Sequence, residues 1–250
     1  MTRVYIGTSG WNYAGWSDGV FYPPKLAASR WLEFYAEHFD SVEVNNTFYN
    51  LPESRVFIEW REKTPDNFVF AVKASRFITH MKKLAEPSCH VARFLQKVRE
   101  FQGKLGVVLF QLPPFWKFNS ERLQVLAKYL SRQKEISGLR VALELRNVTW
   151  NCDACLDVLH QHGIALAFTD WSNLHVESPM TAGFVFVRRH GPKQRYASSY
   201  SETALRQDVS RVRDWLAQGK DVFVYFNNDA CGYAVRNAQR LKALLETIDH

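Results

Sequence analysis

Cysteine is scarce in this chain of 250 residues, which has four. Cys89, Cys152, Cys155 and Cys231 are too few and too scattered for a disulfide framework at this length. That excludes the small disulfide-stapled scaffolds and points to a reducing compartment. The spacing Cys152-Asp153-Ala154-Cys155 lacks two further ligands for a zinc site and reads as a bland pair. Long apolar runs are missing too: Val107 to Leu112 is interrupted by Gln111 and falls far below the ~18 residues of a membrane span. The opening MTRVYIGTSGW carries one basic residue and passes straight into a strand-like run, so it does not read as a signal peptide. A cytoplasmic protein without membrane partners is expected. No phosphate-binding glycine loop, Ser/His/Asp elbow, internal repeat or low-complexity tract is present.

What is there is apolar and aromatic. Hydrophobic residues make up 46% and aromatics 14%, with eight Trp, enough for a full core and for either dense ring packing or a ligand-stacking surface. Lys plus Arg number 32 against 25 Asp plus Glu, a formal charge of +7. A surplus of that sign favours anionic partners, whether phosphates, acidic metabolites or nucleic acid.

Short β-rich runs alternate with helical-period segments from end to end, the pattern of a parallel sheet built from βα units. The strand candidates are Val4–Gly7, Ser41–Asn45, Val69–Lys73, Gly106–Leu112, Arg140–Arg146, Ala165–Asp170, Phe184–His190 and Val222–Asn227. Between them, Leu32, Tyr35, Ala36 and Phe39 share a helical face, as do Leu205, Val209, Val212 and Leu216, and Val235, Ala238, Leu241 and Leu245. Ser120 and Ser201, each before a Glu, are the expected helix N-caps. Eight such units in one domain, residues 1–250, give an α/β fold of (β/α)8 TIM-barrel type. The unit Trp171 to Gly183, with Pro179, is too short for a full helix, so a loop or single turn is expected after strand six. An open doubly wound sheet is the alternative, though no glycine-rich turn follows strand one.

The stretch VEVNNTFY, Val42 to Tyr49, places a carboxylate and two amides where a buried strand ends. The other strands do the same. Alternate strand residues point into a barrel and active sites sit where the strands end. The last inward positions are Glu43, Asn45, Lys73, Gln111, Glu144, Arg146, Asp170, Arg188, His190, Tyr225 and Asn227. Polarity is thus concentrated at one end, the composition of a pocket for a small polar ligand. Glu43 and Glu144 are the expected acid/base pair, with Lys73 as clamp or amine and His190 as proton relay. Asn45, Tyr49, Gln111, Arg146, Asp170, Arg188, Tyr225, Asn227, Asn228 and Trp11 are expected to bind substrate, Trp11 from a glycine-hinged aromatic loop. His80 is a weaker candidate. Glu43, Glu144, Asp170 and His190 would also suit a divalent metal, but Lys73, Arg146 and Arg188 crowd the same face with positive charge. A metal is therefore not favoured, and the cofactor is left open.

Two functional readings follow. One is an enzyme acting on a small phosphorylated or carboxylated, sugar- or nucleotide-like substrate. The other is a nucleic-acid-binding or nucleic-acid-processing barrel, with aromatic loops for stacking and Arg206, Arg211 and Arg213 on one helix for phosphates. Neither fixes an oligomeric state.

The motifs GTSGW at 7–11, FYPPKL at 21–26, FDSVEVNNTFYNLP at 39–52, TPDNFVFAVKAS at 64–75, LGVVLFQLPP at 105–114, RVALELRN at 140–147, VRRHG at 187–191 and YFNNDACGYAVRNA at 225–238 are spread along nearly the whole chain. With them the sequence resembles the YecE-like family, domain-of-unknown-function family seventy-two. The resemblance implies a TIM-type barrel and brings no reaction with it. Its motifs coincide with the polar strand ends. The chain departs from the family pattern at Leu145, where an aromatic is typical, and at Cys231, commonly Gly.

Overall fold

A computed structural model describes residues 2–133, 136, 138–171 and 179–247. The strands are β1 Val4–Thr8, β2 Ser41–Val44, β3 Val69–Lys73, β4 Leu105–Gln111, β5 Arg140–Glu144, β6 Ala165–Leu166, β7 Phe168–Thr169, β8 Phe184–Arg189 and β9 Asp221–Phe226. Helices follow them: α1 Trp31–His38, α2 Asn46–Tyr49, α3 Ser54–Glu62, α4 Pro87–Val98, α5 Ser120–Leu130, α6 Asp153–Gln161, α7 Glu202–Ala217 and α8 Tyr233–Glu246. Every strand pairing is parallel, in the orders β1-β9-β8-β7 and β2-β3-β4-β5-β6. The expected eight-position barrel is observed, with β6 and β7 together filling the sixth position.

Two seams join these sheets, and side-chain hydroxyls bridge both. At the first, the Tyr35 hydroxyl accepts from Thr8 N at 2.9 Å and donates to Ser41 O at 3.1 Å, linking β1 to β2 without a backbone ladder. Gly7 permits this approach, because a Cβ there would lie 2.0 Å from the Ser41 carbonyl oxygen. At the second, Ala167 interrupts the expected single strand. Its N–H still donates to Leu143 O at 2.9 Å. Thr181 Oγ1 accepts from Leu166 N at 2.8 Å and donates to Ile164 O at 2.6 Å, so its side chain takes the place of strand partners. Most of the connection after β7, residues 172–178, lies outside the described residues, and 179–183 contain no regular helix.

Period-2 alternation sorts the strand side chains into two cores. Outward residues such as Val42, Phe70, Val108, Leu143 and Val224 pack under the helices. Inward residues form a separate cluster of Ala71, Leu109, Ala142, Ala165, Ala167, Phe184, Phe186, Phe223 and Tyr225. Small residues line one half of the lumen and aromatics from β8 and β9 fill it from the other, with Tyr5 stacked on Phe223 at 4.7 Å. Much of the aromatic content packs: Trp16 and Trp150 are buried, and Tyr22 stacks on Trp31 at 4.6 Å.

Helix ends follow local chemistry. Ser201 caps α7 by accepting from Ala204 N at 3.2 Å, as expected. The cap of α5 is Asn119 rather than Ser120: Asn119 is extended, at φ −137°, and its Oδ1 accepts from Arg122 N at 2.8 Å. Cys152 and Cys155 flank the start of α6 as free thiols, Cys155 buried and pushed up to about 12 by that burial. No helix among the described residues is long and apolar enough to cross a membrane.

Candidate active site at the barrel mouth

Alternation carries the lumen upward into charge. Phe184 and Phe186 on β8 are followed on the same face by Arg188, Ala71 on β3 by Lys73, Leu109 on β4 by Gln111 and Ala142 on β5 by Glu144. On β2, Ser41 precedes Glu43. All five polar ends are buried.

Arg188 is the hub. Its Nε and Nη2 donate to Glu43 Oε2 and Oε1 at 2.8 and 2.7 Å, a bidentate fork, while Nη1 donates to Glu144 Oε2 at 2.5 Å. The second Glu144 oxygen accepts from Arg146 Nε at 2.7 Å. Burial alone would raise the Glu144 carboxyl, but Arg146 and Arg188 hold it well below the usual carboxylate range. Burial would likewise lower Arg188, and Glu43 and Glu144 outweigh it, so the guanidinium stays charged.

Lys73 has no such answer. Its ammonium lies 4.0 Å from the centre of the Phe48 ring, and no described carboxylate oxygen comes within salt-bridge distance. Burial, then the positive charge of Arg188, brings its pKa down to about 7. The excess is arithmetic: among the described residues Arg188, Arg146 and Lys73 face Glu43 and Glu144.

His190 sits just beyond β8, fully buried. Burial and Arg188 hold its pKa well below the ordinary imidazole value, so it is neutral. Asn227 Nδ2 is 3.0 Å from Nδ1, which assigns the ring proton to Nε2. Among the described residues Nε2 has no hydrogen-bond partner, and it stands 3.8 Å from Glu144 Oε1, too far for a hydrogen bond. Gln111 Oε1 and Asn45 Oδ1 are also buried without partners, although Asn45 Nδ2 donates to Ser9 O at 3.1 Å.

Other expected ligand contacts hold protein. Asp170 accepts from His190 N at 2.7 Å and from the Tyr200 hydroxyl, which itself accepts from Gly191 N at 2.7 Å. The Tyr225 hydroxyl is spent on Ser41 Oγ at 2.5 Å. Asn228 Nδ2 donates to Ser198 O at 2.8 Å and Asn237 Oδ1 at 2.9 Å, fixing the loop after β8. Arg146, Asp170, His190 and Asn227 stand just past strand ends rather than within strands. Tyr49 is exposed on α2, and Trp11 meets Trp60 edge to face at 5.1 Å; both line an open cleft beside the mouth. His80, on the π-turn Phe77–Met81, bonds Thr79 Oγ1 at 2.8 Å, and burial with Lys73 and Arg146 nearby lowers it to about 4.

Trp171 escaped the sequence reading. The Arg146 guanidinium lies 3.6 Å from its ring centre and that of Arg195 4.2 Å, and its ring meets the His190 edge at 5.3 Å. Its position one residue past Asp170 was the available signal. Among the described residues no group of three His, Cys, Asp or Glu side chains is arranged to hold a metal ion: Glu43 and Glu144 turn to arginines and Asp170 to Tyr200.

Relatives share this frame. UPF0759 protein YunF of Bacillus subtilis is 27% identical over 274 residues, covering 97% of this chain and 95% of YunF. The crystal structure of a DUF72 family protein from Thermotoga maritima superposes with a TM-score of 0.83 at 30% identity, over 98% of this chain and 100% of that one. D-psicose 3-epimerase matches at a TM-score of 0.55 and 10% identity, over 96% of this chain and 97% of that one, a likeness of fold alone. The description "Protein of unknown function DUF72" matches residues 5–249. The chain belongs to the DUF72 family.

Proposed function

We propose that this chain is an enzyme acting on a small anionic substrate, phosphorylated or carboxylated, at the mouth of the barrel, with Lys73 moving the proton. The observation that carries the reading is the unanswered cation. Two carboxylates saturate Arg188, and the third positive group is left buried against Phe48 with no counter-ion among the described residues. A buried charge that the protein does not pair is a place for a ligand's charge.

The geometry redistributes the roles that composition suggested. Glu43 and Glu144 are committed to arginine, so they hold Arg188 and Arg146 in place rather than exchange protons. Lys73, at about 7, takes both protonation states near neutral pH, which suits an acid/base group or an amine nucleophile. Neutral His190 offers its free Nε2–H to a developing oxyanion. The nucleic-acid alternative has less support: Arg206 pairs with Glu202 at 3.1 Å and Arg211 with Asp208 at 3.7 Å, so that helix face is partly neutralised.

Thermal denaturation of wild type and Lys73→Met with inorganic phosphate or citrate tests this. An anion at ~100 times its dissociation constant adds about 2.7 kcal/mol and should raise the wild-type melting temperature by roughly 5–10 °C. Lys73→Met should not respond. Equal shifts in both proteins would place the anion elsewhere and end the reading.

A further inference from the structure

A second space lies beside the mouth of the barrel. Between the loop after β1 and helices α2 and α3 lies a cleft of about 420 Å³. Its walls differ from the mouth in chemistry. Trp11, Trp60 and Tyr49 supply apolar faces, and Asn12, Asn45 and Asn46 supply amides. Its charges cancel: Lys63 Nζ donates to Glu59 Oε1 at 2.7 Å on the rim. A neutral, amide-bearing, aromatic cleft next to an uncancelled cation calls for a ligand with two unlike parts.

We propose that this cleft is the subsite for a neutral hydroxylated ring, and that the substrate class is a sugar phosphate or sugar acid whose anionic group rests at Lys73. The inference rests on the reading of the mouth as an anion site and names the rest of the molecule. Two contacts lead from Lys73 to the wall of the cleft. Lys73 lies 4.0 Å from the Phe48 ring centre, and the adjacent Tyr49, which lines the cleft, meets Phe48 edge to face at 5.0 Å. On the neighbouring side, Asn45 lines the cleft two residues beyond Glu43, with Oδ1 unpartnered.

Ring geometry selects a sugar over a nucleobase. A base is held best by a flat face on which it can stack fully. Here the Trp11 and Trp60 planes meet at 87°, forming a corner rather than a parallel slot. The carbon face of a sugar ring packs against one indole while its hydroxyls, each donor and acceptor, reach amides that are also both.

Isothermal titration calorimetry separates the parts. The probes are inorganic phosphate, hexose 1- and 6-phosphates, a pentose 5-phosphate, a hexuronic acid and AMP, each against wild type, Tyr49→Ala, Trp11→Ala and Lys73→Met. Tyr49 is 75% exposed, so its truncation leaves the core intact. At least one sugar phosphate or the sugar acid should bind wild type ten-fold or more tighter than phosphate does. Tyr49→Ala and Trp11→Ala should erase that advantage and leave phosphate affinity unchanged, whereas Lys73→Met should remove both. If no sugar derivative exceeds phosphate, the ring subsite is refuted and the anion site stands. If AMP exceeds every sugar derivative with the same Tyr49 dependence, the occupant is a base and the sugar assignment is overturned. If neither phosphate nor any sugar derivative binds, the anion reading falls and this inference with it.

Discussion

Arg188 and Lys73 occupy equivalent places, the last lumen-facing position of β8 and of β3, and both are buried cations. Arg188 makes three charge-assisted hydrogen bonds to two carboxylates; Lys73 rests on an aromatic ring. The fork of a guanidinium can satisfy Glu43 and Glu144 at once, and a point-charge ammonium is the group whose proton burial can loosen. One cation therefore builds the site and the other is free to work in it. Burying charge is costly in both cases, but only Arg188 recovers that cost within the protein.

Breaking the hub has the largest expected effect. Arg188→Met would strand the buried Glu43 carboxylate and leave Glu144 with Arg146 alone, at about 3–5 kcal/mol for the fork to Glu43. Urea denaturation at pH 7 should show that loss, or yield no folded protein. Acid narrows the difference. In the wild type Glu144 is held low, so its contribution is present above the ordinary carboxylate range and is lost as pH falls through the depressed folded value. In the variant the stranded carboxyl is stabilised by protonation, so the two curves should converge towards pH 4. A constant gap across pH would mean that packing, not charge, is what Arg188 supplies.

Removing Lys73 should do the opposite. Its folded pKa of about 7 lies below the ordinary 10.5, so the unfolded chain binds the extra proton between those values and stability rises with pH across that window. The penalty is full below pH 7, up to ~5 kcal/mol, less whatever the Phe48 contact returns. Lys73→Met should therefore be more stable than wild type at pH 6, with the gain fading above pH 10. A destabilised variant at pH 6 would show that Lys73 is paired after all.

The same titration should govern ligand binding, with a smaller effect per step. An anion beside Lys73 raises its pKa, so binding takes up a proton between pH about 7 and that raised value. Affinity for phosphate should be level with respect to Lys73 below pH 7 and fall by up to ten-fold per unit above it. Calorimetry in buffers of different ionisation enthalpy would count the proton directly. A pH-independent affinity from 7 to 9 would remove Lys73 from the anion site.

The contrast between these two cations also marks how far sequence carries. Period-2 alternation placed Glu43, Lys73, Gln111, Glu144 and Arg188 together, because a polar residue at the last inward position of a parallel strand has only the barrel mouth to face. Which of them pair was not legible. Glu43 and Arg188 are 145 residues apart, and their fork depends on strand stagger that no local pattern encodes. The break at Ala167 was hidden for a similar reason: the Thr181 hydroxyl that bonds the neighbouring Leu166 N and Ile164 O comes from the far side of the connection. Trp171 depends on Arg146 and Arg195 arriving from separate loops. Asn119 displaced Ser120 as a cap because backbone angle, not residue type, decided between two adjacent good caps.

The smallest expected effect lies away from the charges and was readable in advance. Cys231, a position where the resemblance led us to expect Gly, has a left-handed backbone, at φ 53° and ψ 22°. An L side chain in that region costs roughly 1–2 kcal/mol, while glycine's freer unfolded chain returns about 0.5–1 of the advantage. Cys231→Gly should thus stabilise the protein by about 0.5–1 kcal/mol, a rise of 1–4 °C in melting temperature. The Cys231 thiol is free and exposed rather than buried with the mouth residues, so ligand affinity should not change. If the substitution instead weakened phosphate binding, the turn before α8 would be coupled to Asn227 and His190, and the division between a rigid hub and a working lysine would have to include that loop.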